Sequence, residues 1–250
     1  MKKLFVVFTV ALLLPAVSAA ADDWQFKLTP YLWFAGVKGD VSTIPGSPVA
    51  PIEVSASDAL SDTQSSFMAI FEARKQQHGV LFDILYTDIE SDTALVPDPI
   101  NLTLTSTSRN KMFSAAYEYG LYNRAGTAID VLAGLRYWEV DTLLEFGGGL
   151  GALAGKRVHH AESWTDPLVG IKGTTRLGDS DFYVAGWVAT GGFGVGSDSF
   201  YDVSANIGYQ WNKSIGTTLG YRLFDVDYEH DSFVYDVRQE GLALGLTWAF

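Results

Sequence analysis

The last ten positions of the chain, Gly241 to Phe250, alternate between large apolar residues and small ones. Leucine, tryptophan or phenylalanine occupies every even position, and glycine, alanine or threonine occupies every odd position. A period of two predicts a β-strand, because successive side chains of a strand point to opposite faces. Apolar residues on one face and small residues on the other indicate a strand between lipid and a crowded barrel interior.

The same alternation recurs along the chain and predicts ten strands, the first within Trp24–Val41 and the last the strand just described. Tight turns are expected at 76–79, 123–126, 178–181 and 212–214. The longest connections, 42–65 and 147–156, fall at the opposite ends of the strands. Short turns at one end, longer loops at the other and an even number of strands are typical of membrane barrels. We therefore predict an all-β fold, a ten-stranded antiparallel up-and-down transmembrane β-barrel in the cell outer membrane.

Two predicted strands change the parity of their apolar residues partway along. In the ninth strand, apolar residues take odd positions as far as Leu223 and even positions from Phe224 onward. The tenth strand changes at a similar height, between Val237 and Leu242. This change indicates either a β-bulge in each strand or the outer edge of the membrane at that height. For the seventh strand, within Phe182–Val195, the parity stays open.

Residues 1–20 have the pattern of a secretory signal peptide, and residues 21–250 form the predicted barrel domain. Lys2 and Lys3 are followed by the apolar run Leu4 to Leu14 and then by small residues suited to cleavage. Without these two lysines, 15 basic residues remain against 29 acidic ones, a formal charge of −14. An acidic surface repels the phosphates of nucleic acid, so we expect no nucleic-acid partner. We expect contacts with outer-membrane lipid and lipopolysaccharide, with small solutes as further candidates, and leave the oligomeric state open.

Charged residues of both signs fall on the strand faces opposite the apolar rows. These candidate lumen residues are Glu72, Arg74, Asp83, Glu118, Arg136, Asp166, Lys172 and Arg222. A ten-stranded barrel is little wider than one filled by its own side chains, so these charges predict a narrow, charge-lined lumen. They either neutralise one another in a structural role or line a small-solute channel, and we expect the structural role to be the main one. We also expect Arg136 and Arg222 to pair with some of the lumen carboxylates, because unpaired charges there would be costly.

Two short motifs could suggest a ligand. His159-His160 with Glu162 could bind a metal, but adjacent strand residues point to opposite faces, so we expect no metal site. Gly191-Gly192-Phe193-Gly194 has the glycines of a phosphate loop without the lysine and hydroxyl residue that should follow. We interpret it as a bend in a strand, and we expect no cofactor.

A barrel-mouth hydrolase is the alternative function. His230 lies in an acidic segment at the outer end of a predicted strand, and Asp88 and Glu90 could face it across the mouth. Omptin-like proteases use aspartate–histidine groups in such a position, and some lipid A-modifying enzymes use a serine–histidine pair. No sequence motif here matches either class, so we expect no enzymatic activity.

Several short motifs in order along the chain resemble those of a known family. They are Pro30-Tyr31-Leu32-Trp33, Phe71-Glu72-Ala73-Arg74, Gly134-Leu135-Arg136-Tyr137-Trp138, Trp164-Thr165-Asp166-Pro167, Gly191-Gly192-Phe193-Gly194 and Gly220-Tyr221-Arg222. Together they resemble a family of small bacterial outer-membrane β-barrel proteins of poorly defined function, over essentially the whole mature chain. The resemblance implies the same fold and location, and little about activity.

Overall fold

The computed structural model describes residues 24–96, 101–148 and 155–250. The predicted signal peptide and residues 21–23 of the predicted barrel domain lie outside the described residues, as does most of the predicted loop 147–156. Among the residues described, no helix is long and apolar enough to cross a membrane.

The described chain forms eleven strands and one short helix. They are β1 (Trp24–Ser42), β2 (Ala50–Val54), α1 (Ala56–Asp62), β3 (Thr63–Lys75), β4 (His78–Val96), β5 (Leu102–Arg124), β6 (Thr127–Gly147), β7 (Arg157–Arg176), β8 (Phe182–Gly192), β9 (Ser199–Gln210), β10 (Ile215–His230) and β11 (Phe233–Ala249). All except β2 pair in chain order with antiparallel neighbours, and β11 pairs with β1 to close the sheet. The predicted ten-stranded antiparallel up-and-down barrel is therefore confirmed.

The terminal strand closes the barrel in the orientation that its alternation predicts. Its large residues from Leu242 to Trp248 are exposed on the outer face, and Gly241 and Gly245 are buried on the inner face. A β-carbon on Gly241 would lie 1.9 Å from the backbone oxygen of Phe34, so only glycine fits there. Beyond β11, Phe250 and β1 exchange two backbone hydrogen bonds. The small face therefore allows the two closing strands to approach.

An apolar band surrounds the barrel and ends at a belt of surface ion pairs. Exposed outward side chains in this band include Phe67, Ile84, Phe113, Leu135, Ile171, Val188, Ile207, Leu219 and Leu244. Towards the long-loop end, the outward residues become charged and pair across neighbouring strands. These pairs are Lys38–Glu240, Arg109–Asp88, Lys111–Glu139 and Arg238–Asp225. The belt marks the outer boundary of the hydrocarbon region, since unscreened charges are costly inside it.

The bulges proposed for the ninth and tenth predicted strands are absent from the described structure. β10 and β11 stay in register from Ile215 opposite Trp248 to His230 opposite Phe233. Inward positions of both strands keep their parity, and the inward residues from Phe224 to Tyr228 and from Phe233 to Val237 are apolar. The physical reason is the change of solvent: beyond the membrane, water surrounds the barrel and apolar side chains pack inside it. The other interpretation, the outer edge of the membrane, agrees with this arrangement.

The predicted loop 42–65 contains ordered structure. β2 pairs with the outer part of β1, and α1 follows with the Ser55 side chain accepting a hydrogen bond from the Asp58 backbone N–H. β3 pairs with β1 only from Trp24 opposite Lys75 to Pro30 opposite Ala69. Proline has no backbone N–H to donate, and it lies where this ladder stops.

The outer rim of the barrel is uneven. β8 and β9 have 11 and 12 residues, whereas β5 has 23. Because β8 pairs with β7 only as far as Leu168, the outer part of β7 pairs with β6 alone among the described strands. On β8 the odd residues face inward, which settles the parity that the sequence left open.

Candidate functional site in the barrel interior

Arg222 on β10 occupies the centre of the lumen with 1% of its surface exposed. Its Nη2 donates to Asp83 Oδ2 at 2.8 Å and to Asp202 Oδ2 at 2.7 Å, and its Nε donates to Asp202 Oδ1 at 3.0 Å. Its Nη1 donates to the Tyr31 hydroxyl at 2.8 Å, and that hydroxyl donates to Asp83 Oδ1 at 2.9 Å. The guanidinium therefore bridges β1, β4 and β9 through the interior.

Arg136 on β6 completes this central network. Its Nη2 donates to Asp202 Oδ2 at 2.7 Å and its Nε to Ser114 Oγ at 2.8 Å. The Trp187 indole N–H donates to the same carboxylate, Asp202, at 2.9 Å. The guanidinium carbon of Arg136 lies 4.6 Å from the Phe200 ring centroid, within the range of a cation–π contact. Two guanidinium groups and two carboxylates make the central network electrically neutral.

A second network lies nearer the short-turn end of the lumen. Lys172 Nζ contacts Glu118 at 2.5 Å and Glu72 at 2.8 Å. Arg74 Nη2 contacts Glu118 at 3.1 Å and Asp130 at 2.8 Å. The side chain of Glu118 is fully buried between the two cations. This lower network joins β3, β5, β6 and β7 and excludes water from Glu118.

Asp166 is fully buried but makes no ion pair with either network in the described structure. Its carboxylate accepts from the Trp138 indole N–H at 3.0 Å, from the Ser197 backbone N–H at 2.7 Å and from the Ser197 hydroxyl at 2.8 Å. Three donors satisfy the charge in place of a cation. Asp166 therefore fastens the β8–β9 connection to β7, above the point where β8 ends.

Seven of the eight charges predicted from the sequence lie in the two networks, and Asp166 lies apart. The structure brings Arg222 to Asp83 and Lys172 to Glu72, but it places neither Glu72 nor Asp166 against an arginine. Sequence reasoning missed Asp130 and Asp202, although both stand between outward apolar residues on their strands. That parity was the signal that could have identified them. A functional role for these charges stays a prediction.

Aromatic side chains fill much of the lumen above the central network. The Trp164 and Tyr228 rings stack with centroids 3.9 Å apart, and the Trp138 and Phe224 centroids are 4.9 Å apart. The Tyr228 hydroxyl donates to Glu162 at 2.9 Å. This aromatic cluster packs the inner faces of β10 and β11 directly against β6 and β7, over the short strands β8 and β9.

The histidines of the predicted ligand motifs lie apart from one another. His159 faces Asp141 at 3.1 Å on an exposed surface, whereas His160 lies on the other face, 3.4 Å from Glu162. Within the described ranges, no three histidine or acidic residues are grouped so that they could hold a metal ion. The structure thus separates the two histidines as strand geometry predicts.

The residues proposed for a barrel-mouth hydrolase are also not brought together. The His230 side chain is 62% exposed and contacts Asp231 at 3.5 Å. Asp88 pairs with Arg109 at 3.1 Å on the outer face of the barrel. Asp88 therefore points away from the lumen, whereas His230, at the end of β10, has the inward parity of Arg222.

The closed sheet, its apolar band and its charged interior define a transmembrane β-barrel of the bacterial outer membrane. Neither a protein-family model nor a curated protein sequence matches this chain. The outer-membrane protease OmpT of Escherichia coli has a similar structure, with a TM-score of 0.56 and 10% identity over 94% of this chain and 99% of that one.

Weaker likenesses are found to two other bacterial barrels. For the translocator domain of the autotransporter NalP of Neisseria meningitidis, the TM-score is 0.45 with 8% identity, over 93% of this chain and 90% of that one. For Ail, the attachment invasion locus protein of Yersinia pestis, it is 0.35 with 10% identity, over 91% and 99%. At these identities the comparisons concern the fold alone.

Proposed function

We propose that this protein is a structural outer-membrane barrel with a closed lumen, whose interior charges brace the wall and do not conduct solutes. The observation that carries the proposal is the span of the ion pairs. Arg222 on β10 reaches Asp83 on β4, and in the sheet order three strands separate β4 and β10 on one side and five on the other. Such a contact crosses the lumen.

The other ion pairs support the same role. Lys172 on β7 reaches Glu72 on β3, and Arg136 on β6 reaches Asp202 on β9. In neither pair are the two strands neighbours in the sheet. A conducting path would require several of these contacts to open, and each opening would leave a buried charge without its partner. Next to Arg222 there remains a cavity of only about 20 Å³.

The belt of ion pairs on the outer face is suited to the lipopolysaccharide layer. Cations such as Lys111 and Arg238 lie just beyond the apolar band, each beside a carboxylate. Phosphate groups and divalent ions can exchange with such exposed pairs at little cost, because exposed pairs contribute only ~0–1 kcal/mol. Outer-membrane lipid and lipopolysaccharide are the partners that this surface favours.

Single-channel recording tests the proposal. Purified barrel in planar bilayers should give no unitary current, and Arg238→Ala, which removes an outer-face charge, should behave identically. Stepwise, ion-selective currents in the unsubstituted protein whose selectivity changes in Arg136→Ala would contradict a closed lumen and favour the small-solute channel.

We also propose that the barrel has no hydrolytic activity of its own. What supports this is the exposure of His230 and the outward orientation of Asp88, which pairs with Arg109. Incubation with dibasic peptides and with lipid A tests the proposal, with His230→Ala as the matched variant. Turnover that disappears in the variant would make the hydrolase the better explanation.

A further inference from the structure

The wall of the barrel is interrupted between β1 and β3. The ladder between them stops at Pro30 opposite Ala69, and within the described residues β3 continues to Thr63 paired with β4 alone. β1 continues outward paired with β11 and, from Val37, with β2. The gap between these strands is called the window below.

A cavity of about 300 Å³ passes through the window. Four consecutive residues of β1, from Leu32 to Ala35, all line it. Successive side chains of a strand point to opposite faces, so an intact wall would separate Leu32 and Phe34 from Trp33 and Ala35. The cavity therefore joins the lumen to the outer surface of the barrel.

The window opens at the height of the hydrocarbon. Leu32 pairs with Leu244 and Phe34 pairs with Leu242, both of which belong to the apolar band. The first outward charge above them on β1 is Lys38, in the belt of ion pairs. A molecule dissolved in the outer half of the membrane would meet the opening directly.

The lining of the cavity is uncharged. None of the lining residues, all from the described part of the chain, is acidic, basic or histidine, although the chain as a whole is 18% charged. The side formed by β1, β2 and α1 is mostly apolar, and a row of hydroxyl groups lines the wall from Ser66 on β3 to Thr142 on β6. These are Ser66, Thr87, Ser91, Ser106, Ser108 and Thr142. Trp33, a residue 9% exposed, belongs to the apolar part of this lining.

We propose that the cavity binds a single aliphatic chain with an uncharged polar end, which enters from the outer leaflet through the window. The apolar side of the cavity suits the chain, and the hydroxyl row suits a hydroxyl or ester group. Small-molecule sites have this composition, with mostly apolar walls and a few polar groups that fix orientation. A charged head group would lose hydration without gaining an opposite charge.

The β2–α1 segment forms one side of the entrance. Ala59 of α1 is buried and Leu60 is exposed, and both line the cavity. At its base the backbone of Val54 approaches Gly36 so closely that a β-carbon there would lie 3.0 Å from the Val54 oxygen. The segment therefore covers part of the window and leaves the apolar residues of α1 at its edge.

Fluorescence quenching of Trp33 tests the proposal. The exposed tryptophans Trp24, Trp211 and Trp248 are changed to phenylalanine, and the protein is reconstituted in phosphatidylcholine vesicles. Titration with 12-bromododecan-1-ol, whose bromine quenches an indole on contact, should give a saturable loss of emission. Trp33→Phe should remove this loss.

Two neighbouring serines provide a matched pair of variants. Ser66→Phe places a ring in the cavity and should abolish the quenching, whereas Ser65→Phe makes the same change on the outer face and should preserve it. If Ser66→Phe does not assemble, competition by unbrominated dodecanol in the unsubstituted cavity should reverse the quenching. Assembly is checked by the different migration of unboiled and boiled protein in detergent gels.

Further probes separate the sources of the chain. Quenching by phosphatidylcholine brominated on its acyl chain would assign the site to bilayer lipid, and quenching by the alcohol alone would assign it to a free amphiphile. Equal quenching by 12-bromododecyltrimethylammonium would overturn the preference for an uncharged ligand. Failure of both the lipid and the alcohol to quench Trp33 would overturn the site itself, whatever the conductance experiment shows.

Discussion

Replacing Arg222 with alanine removes the residue that joins the two carboxylates of the central network. Asp202 would keep its contacts with Arg136 at 2.7 Å and with the Trp187 indole at 2.9 Å. Within the described part of the chain, Asp83 would keep only one side-chain hydrogen bond, from the Tyr31 hydroxyl at 2.9 Å, with 4% of its surface exposed. The variant therefore strands one buried carboxylate and leaves the network with a net negative charge.

The expected loss follows from that single stranded charge. Removing one partner of a buried ion pair typically lowers the free energy of unfolding by ~3–5 kcal/mol. With a urea dependence of about 3 kcal/mol per molar, this corresponds to a fall in the unfolding midpoint of roughly 1–1.7 M. Water entering the lumen would reduce the loss towards the ~0–1 kcal/mol of an exposed pair. The size of the loss therefore measures how dry the interior is.

The assay is urea unfolding of the barrel in vesicles, followed by tryptophan emission and by heat-modifiable migration. Arg238→Ala is the control, because the Arg238–Asp225 pair at 2.7 Å is exposed and should contribute little. Adding Asp83→Asn to Arg222→Ala should restore part of the stability, since the stranded charge is removed. A midpoint for Arg222→Ala equal to that of Arg238→Ala would refute a dry, braced lumen.

Three further outcomes are expected. Asp166→Ala leaves three buried donors without their acceptor. The β8–β9 connection should therefore become sensitive to protease, and the free energy of unfolding should fall by ~1–3 kcal/mol per stranded group at most. An unchanged digestion pattern would show that Asp166 does not hold this connection on β7. Partial burial and the neighbouring carboxylates, chiefly Asp236, raise the pKa of Asp227 beyond the apolar band. Its folded form therefore binds a proton more tightly, and that stabilisation is complete below the ordinary pKa of about 3.9 and is lost as pH rises through the raised value. Asp227→Asn should flatten this part of a urea-midpoint profile against pH, and an identical profile would contradict the shift. Deleting Phe250 removes both of its backbone hydrogen bonds with Phe26 and should lower the yield of heat-modifiable barrel in the outer membrane; an unchanged yield would show that this closure is dispensable.

Alternation within a strand predicted the lumen side for several charged residues. Glu118 stands between the outward residues Tyr117 and Tyr119, and Arg222 stands between the outward residues Tyr221 and Leu223; both charges are buried inside the barrel. The partners in each ion pair were harder to predict, because contacts across the lumen depend on strand tilt and side-chain length. Asp202 illustrates this difficulty, since it accepts hydrogen bonds from both Arg136 and Arg222, which lie on other strands.

The upper part of β10, the β2–α1 segment and the window could not be predicted from alternation. The apolar residues from Phe224 to Tyr228 suggested a bulge because apolar side chains face outward in the membrane. Beyond the membrane this rule no longer holds, and these residues face the lumen. β2 and α1 lie in a polar segment with prolines, where local capping by Ser55 and pairing with β1 determine the structure. The window arises from a missing ladder, which only the register of three strands together reveals.

The uneven rim gives the barrel a tall side and a low side in the crowded plane of the outer membrane. β7 continues from Pro167 out to Arg157 beyond its last pair with β8, which is ~36 Å of extended chain at ~3.3 Å per residue. On the β4–β7 side the strands project towards sugar chains and neighbouring proteins, whereas above β8 and β9 they do not. Molecules at the membrane surface can therefore approach the barrel more closely over β8 and β9 than over β4 to β7, so the barrel has two unlike sides in the membrane plane.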